Sequence, residues 1–139
     1  MLFVDTSFFY ALASDKDADH ERVREVFATL DPRRLPDLCL TTNLVVLETI
    51  KLARRYVGHE AAVRMGRSLY AETFARIHWI TPGEEKEAFE YLARHEDKHY
   101  SPVDCTSFVV MEAFGIEEAL TIDKDFTHRF IARPGPRPR

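Results

Sequence analysis

The sequence is poor in cysteine and glycine and contains no long apolar run. Cys39 and Cys105 are its only cysteines, which excludes a disulfide framework and favours a reducing cytoplasm. The five glycines form neither G-x-G-x-x-G nor G-x-x-x-x-G-K, so dinucleotide-binding and P-loop sites are excluded. No apolar stretch is long enough to span a membrane, and no cationic segment followed by an apolar one predicts a secretory leader. We therefore expect a cytoplasmic protein that does not associate with membranes.

Basic residues do not dominate the chain either. The formal net charge is −4, which argues against a protein that coats nucleic acid through bulk charge. A local basic patch is still compatible with an enzyme that grips a short stretch of RNA. With 139 residues, 45% of them hydrophobic, the chain has the size and composition of one soluble globular domain.

Short apolar segments alternate with helical patterns along the chain. The segments predicted as buried strands are 2–5, 38–41, 77–80 and 119–122. The helices predicted from apolar spacing are 6–13, 18–30, 44–56, 59–73, 84–97, 102–114 and 124–130. This alternation predicts an α/β fold with a central parallel β-sheet flanked by helices on both faces. Residues 1–131 then form a single domain, and the basic, proline-rich residues 132–139 form a flexible, extended tail.

Three aspartates follow predicted strands or begin a predicted helix. Asp5 and Asp123 stand at the ends of the first and fourth strands, and Asp104 lies in the first turn of a helix. Each has a structural explanation, since Asp5 and Asp123 are suitable N-caps. Asp104 completes the capping box Ser101-x-x-Asp104, which stabilises a helix start by about 1 kcal/mol. Taken singly, each aspartate is better explained as a cap than as a catalytic residue.

Glu48 has no such explanation. It lies in the most apolar helix of the chain, with Leu44, Val45, Leu47 and Leu52 at positions i−4, i−3, i−1 and i+4. This spacing places Glu48 on or beside the buried stripe of the helix. Burying an ionised carboxylate is costly unless the group is paired or binds a metal. A leucine would suit this helix better if stability alone were at stake.

Together, the four acids are compatible with one edge of one sheet, because the carboxyl ends of parallel strands meet there. Clustered carboxylates repel one another and raise one another's pKa values, and a divalent cation that prefers oxygen ligands relieves the repulsion. Acids that hold Mg²⁺ or Mn²⁺ are a usual apparatus for phosphodiester hydrolysis, since the ion activates water and stabilises charge on the leaving oxygen. Polar side chains nearby that can orient ligands or waters are Thr6, Ser7, Asn43, Thr106 and Thr121.

The order of these motifs resembles that of a PIN domain. The chain has D-T-S at 5–7, Glu48 on the third predicted helix, S-P-V-D-C-T-S-F at 101–108 and L-T-I-D-K-D-F at 120–126. Over residues 1–131, this order and spacing are most similar to those of the small bacterial and archaeal PIN ribonucleases that act as toxins of VapBC-type toxin–antitoxin pairs.

The resemblance implies a metal-dependent endoribonuclease that uses Mg²⁺ or Mn²⁺, cuts RNA, pairs with an antitoxin protein and is often a homodimer. The catalytic acids that it implies are Asp5, Glu48, Asp104 and Asp123. The three aspartates among them, Asp5, Asp104 and Asp123, are implied to hold the metal. Asp97 falls where many members of the family have a further aspartate, and Asp125 is an extra acid in this chain. Both are assigned supporting roles.

A second motif competes with this interpretation. His95-Glu96-x-x-His99 is a literal H-E-x-x-H, which on a helix would place two imidazoles on one face for zinc, with Glu96 as the general base of a peptidase. The helix would have to run intact through His99, yet Ser101-Pro102 begins a new helix two residues later. We interpret the motif as chance and keep a zinc peptidase as a remote alternative. A non-catalytic binding module with the same fold is the nearer one.

Overall fold

A computed structural model describes all 139 residues of the chain. The strands are β1 (Leu2–Val4), β2 (Cys39–Thr42), β3 (Arg76–His78), β4 (Glu118–Thr121) and β5 (Ile131–Pro134). The helices are α1 (Thr6–Ala13), α2 (His20–Ala28), α3 (Leu35–Leu38), α4 (Asn43–Tyr56), α5 (His59–Tyr70), α6 (Pro82–Arg94) and α7 (Pro102–Ala113). Two 3₁₀ segments, Pro32–Arg34 and Lys124–His128, complete the chain. None of the helices is both long and apolar enough to cross a membrane.

β1 is the central strand of a five-stranded sheet, in which every strand is parallel to its neighbours and the order is β3-β2-β1-β4-β5. Phe3 of β1 is aligned with Leu40 of β2 on one side and with Ala119 of β4 on the other. Phe3 and Val4 are fully buried, which explains why the strand has an unbroken apolar run instead of alternating polar and apolar residues. They belong to a core cluster of 25 buried residues.

The helices form two groups that follow from the strand order. The chain moves outward from β1 to β2 and β3 through α1–α5, then returns past β1 to β4 through α6 and α7. Because parallel crossovers are right-handed, outward and return connections cover opposite faces of the sheet. The helix contacts agree with this division, since α1 packs on α2 and α4, α4 packs on α5, and α6 packs on α7. The predicted α/β fold is confirmed.

The chain end differs from the predicted flexible tail. Ile131–Pro134 form the edge strand β5, paired with β4, and the Gly135 N–H donates to the Thr121 carbonyl at 3.0 Å. Arg22 of α2 also donates to the carbonyl oxygens of residues 134–136. Proline is tolerated here because an edge strand has one side without ladder hydrogen bonds. The ordered sheet therefore continues at least three residues beyond the predicted boundary at residue 131.

Candidate active site

The candidate site lies where the direction of strand addition reverses, between β1 and β4. Asp5 directly follows β1, and Asp123 lies two residues after the end of β4. The two strands are adjacent and parallel, so both aspartates lie at the same carboxyl edge of the sheet. In open parallel sheets, ligands bind in the crevice outside this edge at such a switch point.

Asp5 is nearly completely buried, at 4% exposure, and its Oδ2 atom accepts several hydrogen bonds. The donors are the hydroxyls of Ser7 (2.8 Å) and Thr121 (2.9 Å) and the Ser7 backbone N–H (3.3 Å), the last of which makes Asp5 the N-cap of α1. Burial, together with the charge of Asp123, raises the pKa of Asp5 to about 6, although the hydrogen bonds from Ser7 and Thr121 oppose this. Asp5 is therefore a pre-positioned carboxylate whose ionisation costs more than that of an exposed aspartate.

Asp104 combines a cap with an electrostatic link to the other acids. Ser101 Oγ accepts from the Asp104 N–H at 3.0 Å, and Asp104 Oδ2 accepts from the Ser101 N–H at 3.1 Å, which completes the predicted capping box of α7. Burial, together with the charges of Asp5 and Asp123, raises the pKa of Asp104 to about 7, although the hydrogen bonds with Ser101 oppose this. This mutual repulsion shows that the three aspartates share one electrostatic environment.

Asp123 and Asp125 extend the cluster from the other side. Asp123 Oδ1 accepts from the Asp125 backbone N–H at 2.9 Å and caps the 3₁₀ segment Lys124–His128. Burial raises the pKa of Asp123 above its usual range, against the opposing effect of that hydrogen bond. One carboxylate oxygen from each of Asp104, Asp123 and Asp125 lies within 4.8 Å of the others. These three carboxylates can therefore share one cation.

The two carboxylate oxygens have different roles in each of Asp5, Asp104 and Asp123. In each, a single oxygen takes the hydrogen bonds within the protein: Oδ2 of Asp5, Oδ2 of Asp104 and Oδ1 of Asp123. The second oxygen of each accepts none, and the structure contains no buried side-chain oxygen without a partner. Since capping needs only one oxygen, the other is available to an external ligand, and the capping explanation does not compete with metal binding.

Glu48 is connected to this site through α1. Its Oε2 atom accepts a hydrogen bond from the Thr6 hydroxyl at 3.0 Å, and Thr6 is the residue that follows Asp5. Thr6 is only 5% exposed, whereas Glu48 is partly exposed. α4 packs on α1, so the apolar positions of α4 bring the carboxylate toward the sheet edge. The second oxygen, Oε1, accepts no hydrogen bond from the protein and is free to contact an ion or a water.

The predicted supporting residues divide into two groups. Thr6, Ser7 and Thr121 donate to the acids, and the Ser7 hydroxyl also lies 3.0 Å from that of Thr121. Asn43 instead accepts from the Ile80 N–H at 2.7 Å, which ties the start of α4 to the end of β3. Thr106 donates to the Val103 carbonyl, and neither of these two side chains bonds to an acid.

Asp97 and Asp125, the two acids with predicted supporting roles, lie in different surroundings. The Asp97 side chain is 73% exposed, and its carboxylate lies 3.7 Å from the Lys98 ammonium nitrogen. Asp125 joins the metal-competent cluster. A regular helix was predicted from residue 124. The 3₁₀ turn capped by Asp123 holds residues 123 and 125 side by side instead.

The structure contradicts the zinc-binding interpretation of H-E-x-x-H. α6 ends at Arg94, three residues before the predicted end, and His95 is its C-cap with φ −116° and ψ 51°. The His95 Nδ1 atom lies 2.7 Å from the Tyr91 carbonyl oxygen, and the imidazole stacks on the Tyr91 ring. Because residues 95–99 are not helical, His95 and His99 do not share a helix face. The reason is the new helix start at Ser101-Pro102.

The fold and the acids at its switch point are those of a small α/β nuclease domain. The PIN domain family model matches residues 2–129, and the chain belongs to this family. It is 39% identical over 127 residues to the 23S rRNA-specific endonuclease VapC20 of Mycobacterium tuberculosis, and the match covers 91% of this chain and 92% of the relative. The family assignment from the sequence motifs is confirmed.

Two solved structures are similar over nearly the whole chain. The crystal structure of M. tuberculosis VapC20, described as a sarcin-ricin loop cleaving toxin, superposes with a TM-score of 0.83 at 38% identity and covers 92% of this chain and 94% of its own. FitAcB from Neisseria gonorrhoeae superposes with a TM-score of 0.64 at 13% identity, covering 95% and 96%. At that identity the second structure shows the shared fold alone.

Proposed function

We propose that the protein is a metal-dependent endoribonuclease that hydrolyses RNA phosphodiester bonds and acts as the toxin of a VapBC-type toxin–antitoxin pair. The observation that carries the proposal is the cluster of Asp104, Asp123 and Asp125 beside buried Asp5 at the switch point of the sheet. The proposal is also supported by the 39% sequence identity to an RNA endonuclease over 91% of this chain.

The donor set of the cluster fits Mg²⁺ or Mn²⁺. Its members are all carboxylates, and hard oxygen donors suit these ions. Burial, with a smaller effect of the neighbouring acids, raises the pKa values of Asp5 and Asp104, and a bound cation would offset this cost of ionisation. Asp5, Asp104 and Asp123 would hold the ion with their free oxygens, and Asp125 would join them. When bound, such an ion activates water and neutralises charge that develops on the phosphate and the leaving oxygen.

The remaining residues of the site position these ligands. Ser7 and Thr121 fix one oxygen of Asp5, so that the carboxylate plane cannot rotate freely. Hydrogen bonds of this kind orient ligands and strengthen metal binding. Thr6 holds Glu48 in the same way. We assign Glu48 either to ligate the ion or to orient the attacking water with its free oxygen, in line with the phosphodiester bond.

The substrate and partners that we propose are based on the similar proteins. VapC20 is specific for 23S rRNA and cleaves the sarcin-ricin loop, and we propose ribosomal RNA as the first substrate to test. We further propose a cognate antitoxin protein that covers the site, a homodimeric state and a cytoplasmic location. A VapBC-type system requires both proteins in one compartment, where the ribosomal RNA also lies.

The experiment that tests the activity is cleavage of total and ribosomal RNA by the purified protein with Mg²⁺, with Mn²⁺ and with chelator. We expect cleavage only with a divalent ion, and its loss in Asp5→Asn. Asp15→Asn is the matched control, because it makes the same chemical change at an exposed residue outside the site. Undiminished cleavage by Asp5→Asn in chelator would contradict the proposal. RNA binding without turnover in the wild type would identify a non-catalytic binding module.

A further inference from the structure

Three cations of α4 extend away from the site on the same side as Glu48. Lys51 and Arg55 lie three and seven residues after Glu48, positions that share one helix face. Arg54 lies beside them, and all three side chains are exposed. With a rise of about 1.5 Å per residue, the row extends about 10 Å from Glu48 along the helix axis. A strand of nucleic acid with a phosphate near Glu48 would lie along this row.

These cations have no carboxylate partners. Nine of the 19 lysines and arginines of the chain lie within 4 Å of a carboxylate, but Lys51, Arg54 and Arg55 do not. Residues 49–59 contain no acidic residue. The nearest acid at the start of α5, Glu60, pairs with Arg64 instead. In a protein with a net charge of −4, this is a local concentration of uncompensated positive charge.

The three cations line an open groove, and the two arginines among them have contacts that hold them in place. The groove has a volume of about 580 Å³ and is lined by Leu47, Ile50, Lys51, Arg54, Arg55 and His59. Arg54 Nε donates to His59 Nδ1 at 3.4 Å, and the Arg55 guanidinium lies 5.2 Å from the centre of the Tyr56 ring. These contacts order the guanidinium groups without neutralising them. Their remaining N–H donors are therefore available to phosphate oxygens.

A favourable interaction with the helix dipole explains only part of this arrangement. Cations in the last turn of a helix are stabilised by its partial negative charge, and Arg54 and Arg55 lie in that turn. Lys51 lies a full turn earlier and connects them to Glu48. The helix dipole therefore does not account for Lys51, which lies between the last turn of α4 and Glu48.

We propose that Lys51, Arg54 and Arg55 form a phosphate-binding track that guides the RNA backbone to the acid cluster. This inference rests on the proposed ribonuclease function and adds a binding surface to it. The track contacts phosphates and carries no sequence information, so it contributes affinity that depends on salt. Base recognition is left to other parts of the protein.

The test measures RNA binding by the triple variant Lys51→Gln, Arg54→Gln and Arg55→Gln as a function of salt. All proteins carry Asp5→Asn and are held in chelator, so that neither cleavage nor a metal ion affects the binding of a labelled single-stranded RNA. The matched control replaces Arg34, Lys86 and Arg94 with Gln, because these cations are also exposed and unpaired but lie on other elements. Both triple variants change the net charge by the same amount.

We expect the slope of log binding constant against log salt to be shallower by about 2 in the track variant, at about 0.7 per lost phosphate contact with a single strand. Binding at about 50 mM salt should weaken about tenfold or more. The control variant should keep the wild-type slope. Lys51→Gln alone, which leaves the contacts of Arg54 and Arg55 in place, should lower the slope by about 0.7 and keeps the test decisive if the triple variant misfolds.

An unchanged slope in the track variant, or an equal change in both triple variants, would overturn the proposal. If the unchanged slope is accompanied by a loss of dimer in light scattering, this face is instead an interface between two copies of the chain. A shallower slope in the track variant, together with no RNA cleavage by the protein with Asp5 intact in Mg²⁺ or Mn²⁺, would support the track and refute the nuclease assignment. The two proposals are therefore tested separately.

Discussion

The Thr121 hydroxyl donates a hydrogen bond to Oδ2 of Asp5 at 2.9 Å, across 116 positions of the sequence. Thr121 is the last residue of β4, and its hydroxyl oxygen also accepts from the Asp123 N–H at 3.0 Å. A single buried hydroxyl thus links the ends of the two strands that supply Asp5 and Asp123. The pairing of β1 with β4 sets the distance between the two acids through this contact.

Thr121→Val should weaken both metal binding and the fold, by similar free energies. Valine keeps the shape of the side chain but removes the donor to Asp5, so the carboxylate loses one of its fixed hydrogen bonds. We expect metal affinity to fall about 10- to 100-fold and the free energy of unfolding to fall by about 1–3 kcal/mol. Isothermal titration with Mn²⁺ and thermal unfolding measure the two effects. Thr121→Ser, which keeps the hydroxyl, should remain close to wild type in affinity.

The metal-free protein should lose stability as the pH rises from about 4 to 7. The pKa of Asp5 is raised to about 6 and that of Asp104 to about 7, so the folded state binds more protons than the unfolded state in this interval. The stability that each acid contributes is complete below its unfolded pKa and is lost as the pH rises through its folded pKa. At about 1.4 kcal/mol per pKa unit, Asp5 alone accounts for about 3 kcal/mol.

Denaturant unfolding in chelator at several pH values measures this dependence. Asp5→Asn should flatten it and should be more stable than wild type at pH 8. The pKa values of Asp19 and Glu84 are lowered instead. Their contribution to stability is lost as the pH falls, and this loss occurs only below the normal carboxyl range. Mg²⁺ or Mn²⁺ should stabilise the wild type more at pH 8 than at pH 5. A stability that rises steadily from pH 4 to 7 would contradict the raised pKa values.

Asp125→Asn and Asp97→Asn should have different effects, although sequence analysis gave both residues the same rank. Asp125 contributes an oxygen to the cluster, whereas Asp97 is exposed beside Lys98. We expect a loss of metal affinity and of cleavage rate in Asp125→Asn and values close to wild type in Asp97→Asn. Metal titration and an RNA cleavage time course test both. Equal losses in the two variants would refute the assignment of Asp125 to the site.

Removal of residues 135–139 should lower the stability of the domain. These residues accept hydrogen bonds from Arg22, donate one to Thr121 and place Arg137 against Asp19. We expect a loss of about 1–2 kcal/mol, mainly from the partly buried contacts of Arg22. Arg137→Gln in the full chain should have a smaller effect, because its ion pair is more exposed. Identical unfolding curves for the full and shortened chains would contradict this expectation and would agree with the predicted flexible tail.

Local pattern was sufficient for most of the fold. The apolar run of β1, the acids at strand ends and the Ser101-x-x-Asp104 box are each readable over a few residues, and the structure contains all of them. β5 was missed because Ile131–Pro134 has the composition of a disordered segment. Only its pairing with β4 and the contacts of Arg22 give the segment a defined conformation. Local propensity carries no information about such distant partners.

The sequence by itself determined the chemical inventory of the site, namely which acids stand at strand ends and helix starts, and the family order in which they occur. The tertiary structure decided which of these acids share a space: Asp125 joins the cluster and Asp97 does not. It also decided that capping and ligand binding are compatible, since each capping aspartate uses one oxygen and leaves the other free. The physical reason is that a cap depends on neighbours within a few residues, whereas a shared cation depends on distances set by the pairing of β1 with β4 and the packing of α7 against the sheet.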